Sequence, residues 1–181
     1  DETDFCLQQF GLRPLDYLES VGWLNKKTWL AHGIHFDTDE IKRLGSNGVG
    51  ISHCPSSNMI LSSGICAASA LEEAGSPLGI GVDGSASNDG SNMIQEVRMA
   101  FLLQRLKDGA ENVSHLDALR WSTAGSAACL GRSDIGSIAI GRQADLALFN
   151  LDEARFSGHG DPLAALILCG AHSADYVLVA G

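Results

Sequence analysis

Three side chains that can bind a metal or carry a proton constrain the fold of this chain most strongly. His32, His53 and Asp83 each come directly after a short apolar run, and the run before Asp83 spans residues 78–82. They are 21 and 30 residues apart, the length of a strand, a connecting helix and a second strand. The sequence therefore predicts parallel strands of an α/β protein that bring one carboxylate and two imidazoles to the same end of a sheet.

Helical patterns lie between and after these strands. The longest covers residues 92–107, and Ser114 with Asp117 predicts a capping box for a helix that runs to residue 130. The predicted inward-facing residues of the longest helix are Met93, Val97, Ala100, Phe101, Leu103 and Leu106. Three parallel strands alone would leave two long unpaired edges, so we expect this sheet to be part of a barrel. The other predicted elements are strands 27–31, 48–52 and 78–82 and helices 14–21, 37–44 and 67–74.

The sequence pattern changes near residues 131–136, where short strands separated by turn residues replace the strand–helix alternation. We predict such strands over residues 135–141, 144–149 and 176–179. The chain is therefore divided into a barrel part, residues 1–133, and a truncated β-rich part, residues 134–181. The abrupt ends and the missing initiator methionine are interpreted as cuts in a longer protein.

Composition excludes two classes of partner. The formal net charge is −10, with 12 basic against 22 acidic residues, which argues against binding to a nucleic-acid backbone or an anionic membrane. Five scattered cysteines without a C-x-x-C pair indicate reduced, mostly buried thiols. With no signal peptide or membrane-spanning run in the sequence, we expect a cytoplasmic protein.

The strand-end residues favour metal-assisted hydrolysis, although each also has a structural interpretation. Asp83 could cap its loop, but beside two imidazoles it is better explained as a metal ligand and general base. His32 is interpreted as a catalytic or substrate-contacting imidazole instead of a structural hydrogen bonder. His53, before a tight loop over residues 55–58, contacts substrate or supports that loop, and His35 is placed in a loop without a direct role.

Two other motifs fail on their context. Residues 79–84 match G-x-G-x-x-G, but the glycines lie within a predicted strand and no helix opens at Gly84. Cys54-Pro55 lacks both the H-x-E and the P-C-x-x-C of the zinc nucleobase deaminases. Neither a dinucleotide site nor that deaminase class is therefore predicted.

Residues 30–35, 52–59 and 81–90 resemble the last three barrel strands of amidohydrolase-superfamily deaminases. The most similar branch holds the 8-oxoguanine, guanine and cytosine deaminases and the s-triazine hydrolases. Residues 135–146 are similar to the strand pair that re-enters the small β-sandwich of that family. The resemblance covers nearly the whole chain and implies the last part of a distorted (β/α)₈ TIM-type barrel, about strands 6–8, plus part of the β-sandwich.

The same resemblance implies a site with one divalent metal, Zn or Fe. Asp83 matches the family's metal-binding aspartate and general base, and His32 matches the sixth-strand histidine that contacts the substrate or the attacking water. The family's H-x-H, its fifth-strand metal histidine and the glutamate after it have no counterpart in this sequence. We therefore expect this fragment to be inactive by itself.

The predicted function is hydrolysis of a carbon–nitrogen bond by a metal-activated water, most simply deamination of a purine-like or triazine-like ring such as 8-oxoguanine. The alternatives are a related chlorohydrolase, a ring-opening amidohydrolase, or a non-catalytic fragment or paralogue. The predicted partner is a small heterocyclic substrate, and because such families are often oligomeric, a homo-oligomer stays open.

Overall fold

The computed structural model describes residues 2–170 and 173–181 as mixed α/β structure. Three parallel strands form one sheet in the order β1–β2–β3, and two antiparallel strands, β4 and β5, form another. The mixed content and the parallel sheet confirm the predicted α/β class. The strands are β1 (Trp29–Ala31), β2 (Gly50–His53), β3 (Leu78–Ile80), β4 (Leu146–Leu148) and β5 (Tyr176–Leu178).

Helices connect the parallel strands, and side chains close several of their first turns. The Asp37 carboxylate accepts the Glu40 backbone N–H while the Glu40 carboxylate accepts that of Asp37. The predicted capping box of Ser114 and Asp117 is confirmed. These contacts pair backbone donors that have no partner within the helix. The helices are α1 (Glu2–Phe10), α2 (Pro14–Ser20), α3 (Thr38–Ser46), α4 (Pro55–Ile60), α5 (Ala68–Glu73), α6 (Met93–Asp108), α7 (His115–Arg120), the π-helical turn Trp121–Gly125, α8 (Ser126–Cys129), the 3₁₀ turn Ala154–Phe156 and α9 (Pro162–Leu168).

The main core lies between the parallel sheet and helices α3, α5 and α6. Because side chains alternate along a strand, Ile51 of β2 and Leu78 and Ile80 of β3 share one face. All three are buried in one cluster with apolar side chains of those helices. This cluster fixes the orientation of the strands and so the direction in which their ends point. The members of the cluster that α3, α5 and α6 contribute are Leu44, Ala68, Leu71, Val97, Ala100 and Phe101.

Glycines allow α8 to lie directly against the opposite face of the sheet. A Cβ atom on Gly50 would lie 3.1 Å from Cys129 Sγ, and one on Gly79 would lie 3.0 Å from Ser126 Cα. The Ser126 hydroxyl also accepts the Ile80 backbone N–H at 3.1 Å, so this donor on the outer edge of β3 is paired. A larger side chain at either of these two glycines would force α8 away from the sheet.

Two segments differ from the sequence predictions. The tight loop expected over residues 55–58 is wrong: this segment is helix α4, because proline has no N–H to lose at a first helical position. The strand expected over residues 135–141 is also wrong. That segment forms bends, Arg142 donates to the backbone oxygens of Ser133 and Ile135, and Ile140 is fully exposed.

The apolar stripe predicted for the inner face of α6 is confirmed only in part: Val97, Ala100 and Phe101 are buried. Met93 and Leu106 are exposed, the latter at 80%. Glu96 and Gln104 are buried in their place, in line with Ala100 at four-residue spacing. Two polar side chains therefore point into the core from this helix.

The second sheet has little apolar core of its own. β4 and β5 pair antiparallel with Ala147 opposite Val177. Val177 and Tyr176 are about 70% exposed. Among the described residues, the second buried cluster contains Phe156 and Ala165, with partly buried neighbours that include Phe149 and Leu151.

The prediction of reduced, mostly buried thiols is confirmed only in part. The five cysteines are free, but only Cys54 and Cys66 are buried, and burial raises the pKa of the Cys66 thiol to about 12. Within residues 2–170 and 173–181, no helix has the length and apolar character needed to span a bilayer. The cytoplasmic location stays a prediction.

Candidate functional site

Asp83 stands just beyond the carboxyl end of β3, in a left-handed backbone conformation with φ of 63°. Its Oδ2 atom accepts hydrogen bonds from the hydroxyls of Ser57, at 2.5 Å, and Ser87, at 3.2 Å. The Ser57 bond, followed by the Gly84 backbone N–H, lowers the pKa of the carboxyl group. Asp83 is therefore a fixed, ionised carboxylate with about a third of its side chain exposed.

His32 follows β1 in the same unusual backbone conformation, with φ of 70°. Its backbone N–H donates to Ser52 O at 2.8 Å, which holds it at the end of the sheet. Its Nδ1 donates to Asn58 Oδ1 at 2.8 Å, so Nε2 faces Asp83 Oδ2 at 3.7 Å. The structure thus brings the two predicted catalytic residues together, with Nε2 of His32 on the Asp83 side.

Helix α4 supplies two site residues that sequence reasoning missed. Ser57 and Asn58 are consecutive and almost fully buried, and they contact Asp83 and His32 respectively. Sequence reasoning interpreted residue 58 only as the end of a tight loop. The signal that could have indicated these two residues is a pair of short polar side chains that follows the strand-end His53 closely.

His53 is completely buried at the end of β2. Strand alternation puts it on the same face as Ile51 and Ile80, towards the helices. Burial lowers its pKa to about 4, so the ring is neutral at pH 7, and neither ring nitrogen has a hydrogen-bond partner within the described part of the chain. A substrate contact by His53 stays a prediction.

A cleft of about 430 Å³ opens beside His32. Its lining includes His35, Ile34 and Phe36 from the loop after β1, and Leu61 from the end of α4. His35 is exposed in that loop, as predicted, and only its backbone oxygen has a described hydrogen bond. The cleft places a space of ligand size next to His32.

The donor chemistry of the site fits one part of a zinc centre. A carboxylate and an imidazole 3.7 Å apart are suitable zinc ligands. Catalytic zinc takes three protein ligands, and residues 2–170 and 173–181 contain no group of three histidine, cysteine or acidic side chains arranged to hold a metal. Asp83 therefore fits the role of a single carboxylate ligand, and the described residues do not complete the set.

The comparisons define the class of protein. The family model described as "Amidohydrolase family" matches residues 3–178, so the chain belongs to the amidohydrolase family. The chain is 66% identical over 181 residues to an 8-oxoguanine deaminase of Pseudomonas aeruginosa, covering 100% of this chain and 40% of that protein. It is also 40% identical over 162 residues to a hydroxydechloroatrazine ethylaminohydrolase of Pseudomonas sp. strain ADP, covering 87% of this chain and 33% of that protein.

Solved structures agree with this family. An atrazine chlorohydrolase from Arthrobacter aurescens TC1, complexed with zinc, matches with a TM-score of 0.95 and 35% identity, over 99% of this chain and 41% of that one. An adenosine deaminase from Xanthomonas campestris with bound zinc matches with a TM-score of 0.94 and 36% identity, over 99% and 42%. The chain therefore spans about two fifths of the length of the 8-oxoguanine deaminase and of these two solved proteins.

Proposed function

We propose that the protein containing this chain is a zinc-dependent aminohydrolase that deaminates a purine-like ring, with 8-oxoguanine as the first candidate substrate. The observation that carries the proposal is the pairing of an ionised Asp83 with His32 at the ends of parallel strands. The 66% identity to an 8-oxoguanine deaminase supports the choice of ring.

Each residue has a defined task in this reaction. Asp83 accepts the proton of the attacking water on its carboxylate and returns it towards the departing amine, so that ammonia leaves. His32 presents Nε2 to the ring substituent or to the water, because Asn58 occupies Nδ1. Ser57 holds the carboxylate so that it meets the water without reorienting.

A divalent metal, zinc or iron, would supply Lewis acidity and lower the pKa of water to about 7. Asp83 would be one of its ligands, and the others would come from residues other than those described. This chain by itself is therefore proposed to be inactive.

The finer assignments of the fold belong to the same proposal. We assign β1, β2 and β3 to about strands 6–8 of a (β/α)₈ barrel and β4–β5 to a small β-sandwich. We keep the domain boundary between residues 133 and 134. The first residue of the barrel part, Asp1, lies outside the described residues. A homo-oligomer is proposed only by analogy with such families.

The test is product analysis with the full-length protein and its metal. We expect ammonia release from 8-oxoguanine and none after Asp83→Asn. A chlorinated triazine serves as the second substrate, because an atrazine chlorohydrolase shares this fold at 35% identity. Chloride release without ammonia would favour that second function, and no turnover of either ring would contradict both.

A further inference from the structure

Asp83 belongs to a ring of residues that are joined by hydrogen bonds and peptide bonds and that passes through the buried core. Starting from α6, the Glu96 Oε2 atom accepts the Ser56 backbone N–H at 3.1 Å, and the next residue, Ser57, donates to Asp83 at 2.5 Å. We call this closed set the Asp83 ring. Its members are Glu96, Ser56, Ser57, Asp83, Val82 and Asn88.

The second half of the ring returns from Asp83 to the same glutamate. The Asn88 amide group donates to Val82 O, one residue before Asp83, at 2.8 Å. Its other hydrogen points to Glu96 Oε1 at 3.0 Å. One carboxylate therefore joins the segment that holds the Asp83 backbone to the segment that holds its side chain.

Neither helix propensity nor apolar packing explains why a glutamate is buried at position 96. It is 1% exposed on a helix face that otherwise packs in the apolar core, and a buried carboxylate is costly unless it is hydrogen-bonded. Helix α4 has no side-chain cap of its own, and Glu96 pairs one of its orphan donors from outside. Glu96 thus replaces a local cap with a contact from α6.

The contact of Glu96 with α4 helps to hold the unusual backbone conformation of Asp83. A non-glycine residue in the left-handed region persists only where the surrounding structure holds it there. The ring fixes Asp83 on both sides, through Val82 O and through Ser57 Oγ. The residue after Ser57 is Asn58, which fixes His32, so any movement of α4 would also displace the second catalytic candidate.

We infer that Glu96 is a positioning residue for catalysis, which sets the separation of Asp83 and His32 by holding α4 and the loop after β3 at one carboxylate. It does not touch the substrate. The inference deepens the proposed deaminase function and rests on it for its kinetic consequence.

Gln104 provides a matched control on the same helix. It is as buried as Glu96, two turns further along, and its amide nitrogen donates to Cys66 O at 3.1 Å, outside the Asp83 ring. Glu96→Leu and Gln104→Leu therefore remove a buried polar group from one helix face. Only the first opens the ring.

The experiment compares both variants and the milder Glu96→Gln in the full-length, metal-loaded protein. Glu96→Gln keeps the shape and one acceptor oxygen, so it remains informative if Glu96→Leu fails to fold. We expect Glu96→Gln to lower kcat by about 10- to 100-fold with KM and metal content nearly unchanged. Gln104→Leu should leave kcat within about twofold of wild type, whatever it does to the melting temperature.

A second measurement does not depend on activity. Backbone amide exchange over residues 56–58 and 82–88 should be faster in Glu96→Gln than in Gln104→Leu. Equal losses of kcat in Glu96→Gln and Gln104→Leu, or unchanged exchange in Glu96→Gln, would overturn the inference. If the wild-type protein turns over no ring substrate, the deaminase function fails, while the exchange comparison still decides whether Glu96 holds these segments.

Discussion

The parallel-sheet region and the C-terminal region of this chain bury their side chains very differently. In β2 and β3 the inward residues Ile51, Leu78 and Ile80 are at most 4% exposed, and the polar groups at the strand ends are linked to one another. In β5, by contrast, Tyr176 and Val177 face solvent. Both regions have paired strands, so backbone pairing alone does not make a site.

The difference shows what a functional carboxylate needs from its surroundings. Asp83 is fixed by buried hydroxyls, whereas Asp175, before β5, accepts the exposed Asn150 backbone N–H at 2.6 Å. Both are aspartates beside a strand. Asp83 has a packed sheet behind it and the His32 imidazole in front of it.

The largest expected effect comes from Asp83→Asn in the full-length protein. Removing a general base costs on the order of 10²- to 10⁴-fold in rate, and here a proposed metal ligand is weakened as well. Steady-state ammonia release from 8-oxoguanine is the measurement, with metal content determined in parallel. Asp175→Asn is the matched control and should keep wild-type turnover; equal losses in the two variants would remove the distinction between the regions.

The next effect concerns stability. Ile51→Ala removes three carbons from a fully buried position in β2 and should lower the free energy of unfolding by about 2–5 kcal/mol. Urea unfolding followed by circular dichroism measures it. A loss below about 1 kcal/mol would mean that the sheet core is looser than its burial indicates.

The pH dependence of stability should come in part from His53. Its folded pKa of about 4 lies below the ordinary value of 6.5, so in this window the unfolded chain binds a proton that the folded chain does not. The contribution of neutral His53 to the free energy of unfolding is therefore fully present above pH 6.5. It is lost, by up to about 3 kcal/mol, as the pH drops to 4.

His53→Leu should flatten this part of the profile, because it removes the titrating ring. Unfolding of both proteins is compared at about pH 7.5 and about pH 4.5. Identical slopes in wild type and variant would show that His53 is protonated in the folded protein or accessible to solvent.

The smallest effect is expected for Val177→Ala in β5. An exposed side chain on a two-stranded sheet should change the free energy of unfolding by no more than about 0.5 kcal/mol. The same unfolding assay applies to the full-length protein. A loss near 2 kcal/mol would show that other residues cover β5 there, and the contrast between the two regions would then disappear.

The sequence determined the elements that depend on local chemistry. The parallel strands, the capping box at Ser114 and the long helix α6 were all predictable, because periodicity and capping are read within a few residues. The placement of Asp83 and His32 at strand ends followed from the same reasoning. Turn residues were a poor guide for α4, where Pro55 begins a helix, and for residues 135–141, where Arg142 binds the backbone oxygens of Ser133 and Ile135.

Only the tertiary structure decided which polar side chains serve the site. Ser57, Asn58 and Glu96 lie far along the chain from the groups they contact, separated from them by 26, 26 and 40 residues. Their hydrogen bonds exist because the packed sheet and helices bring them together, and no local pattern encodes that distance. The sequence thus specified the acid and the imidazole of the Asp83 site, while packing specified the buried groups that hold them in place.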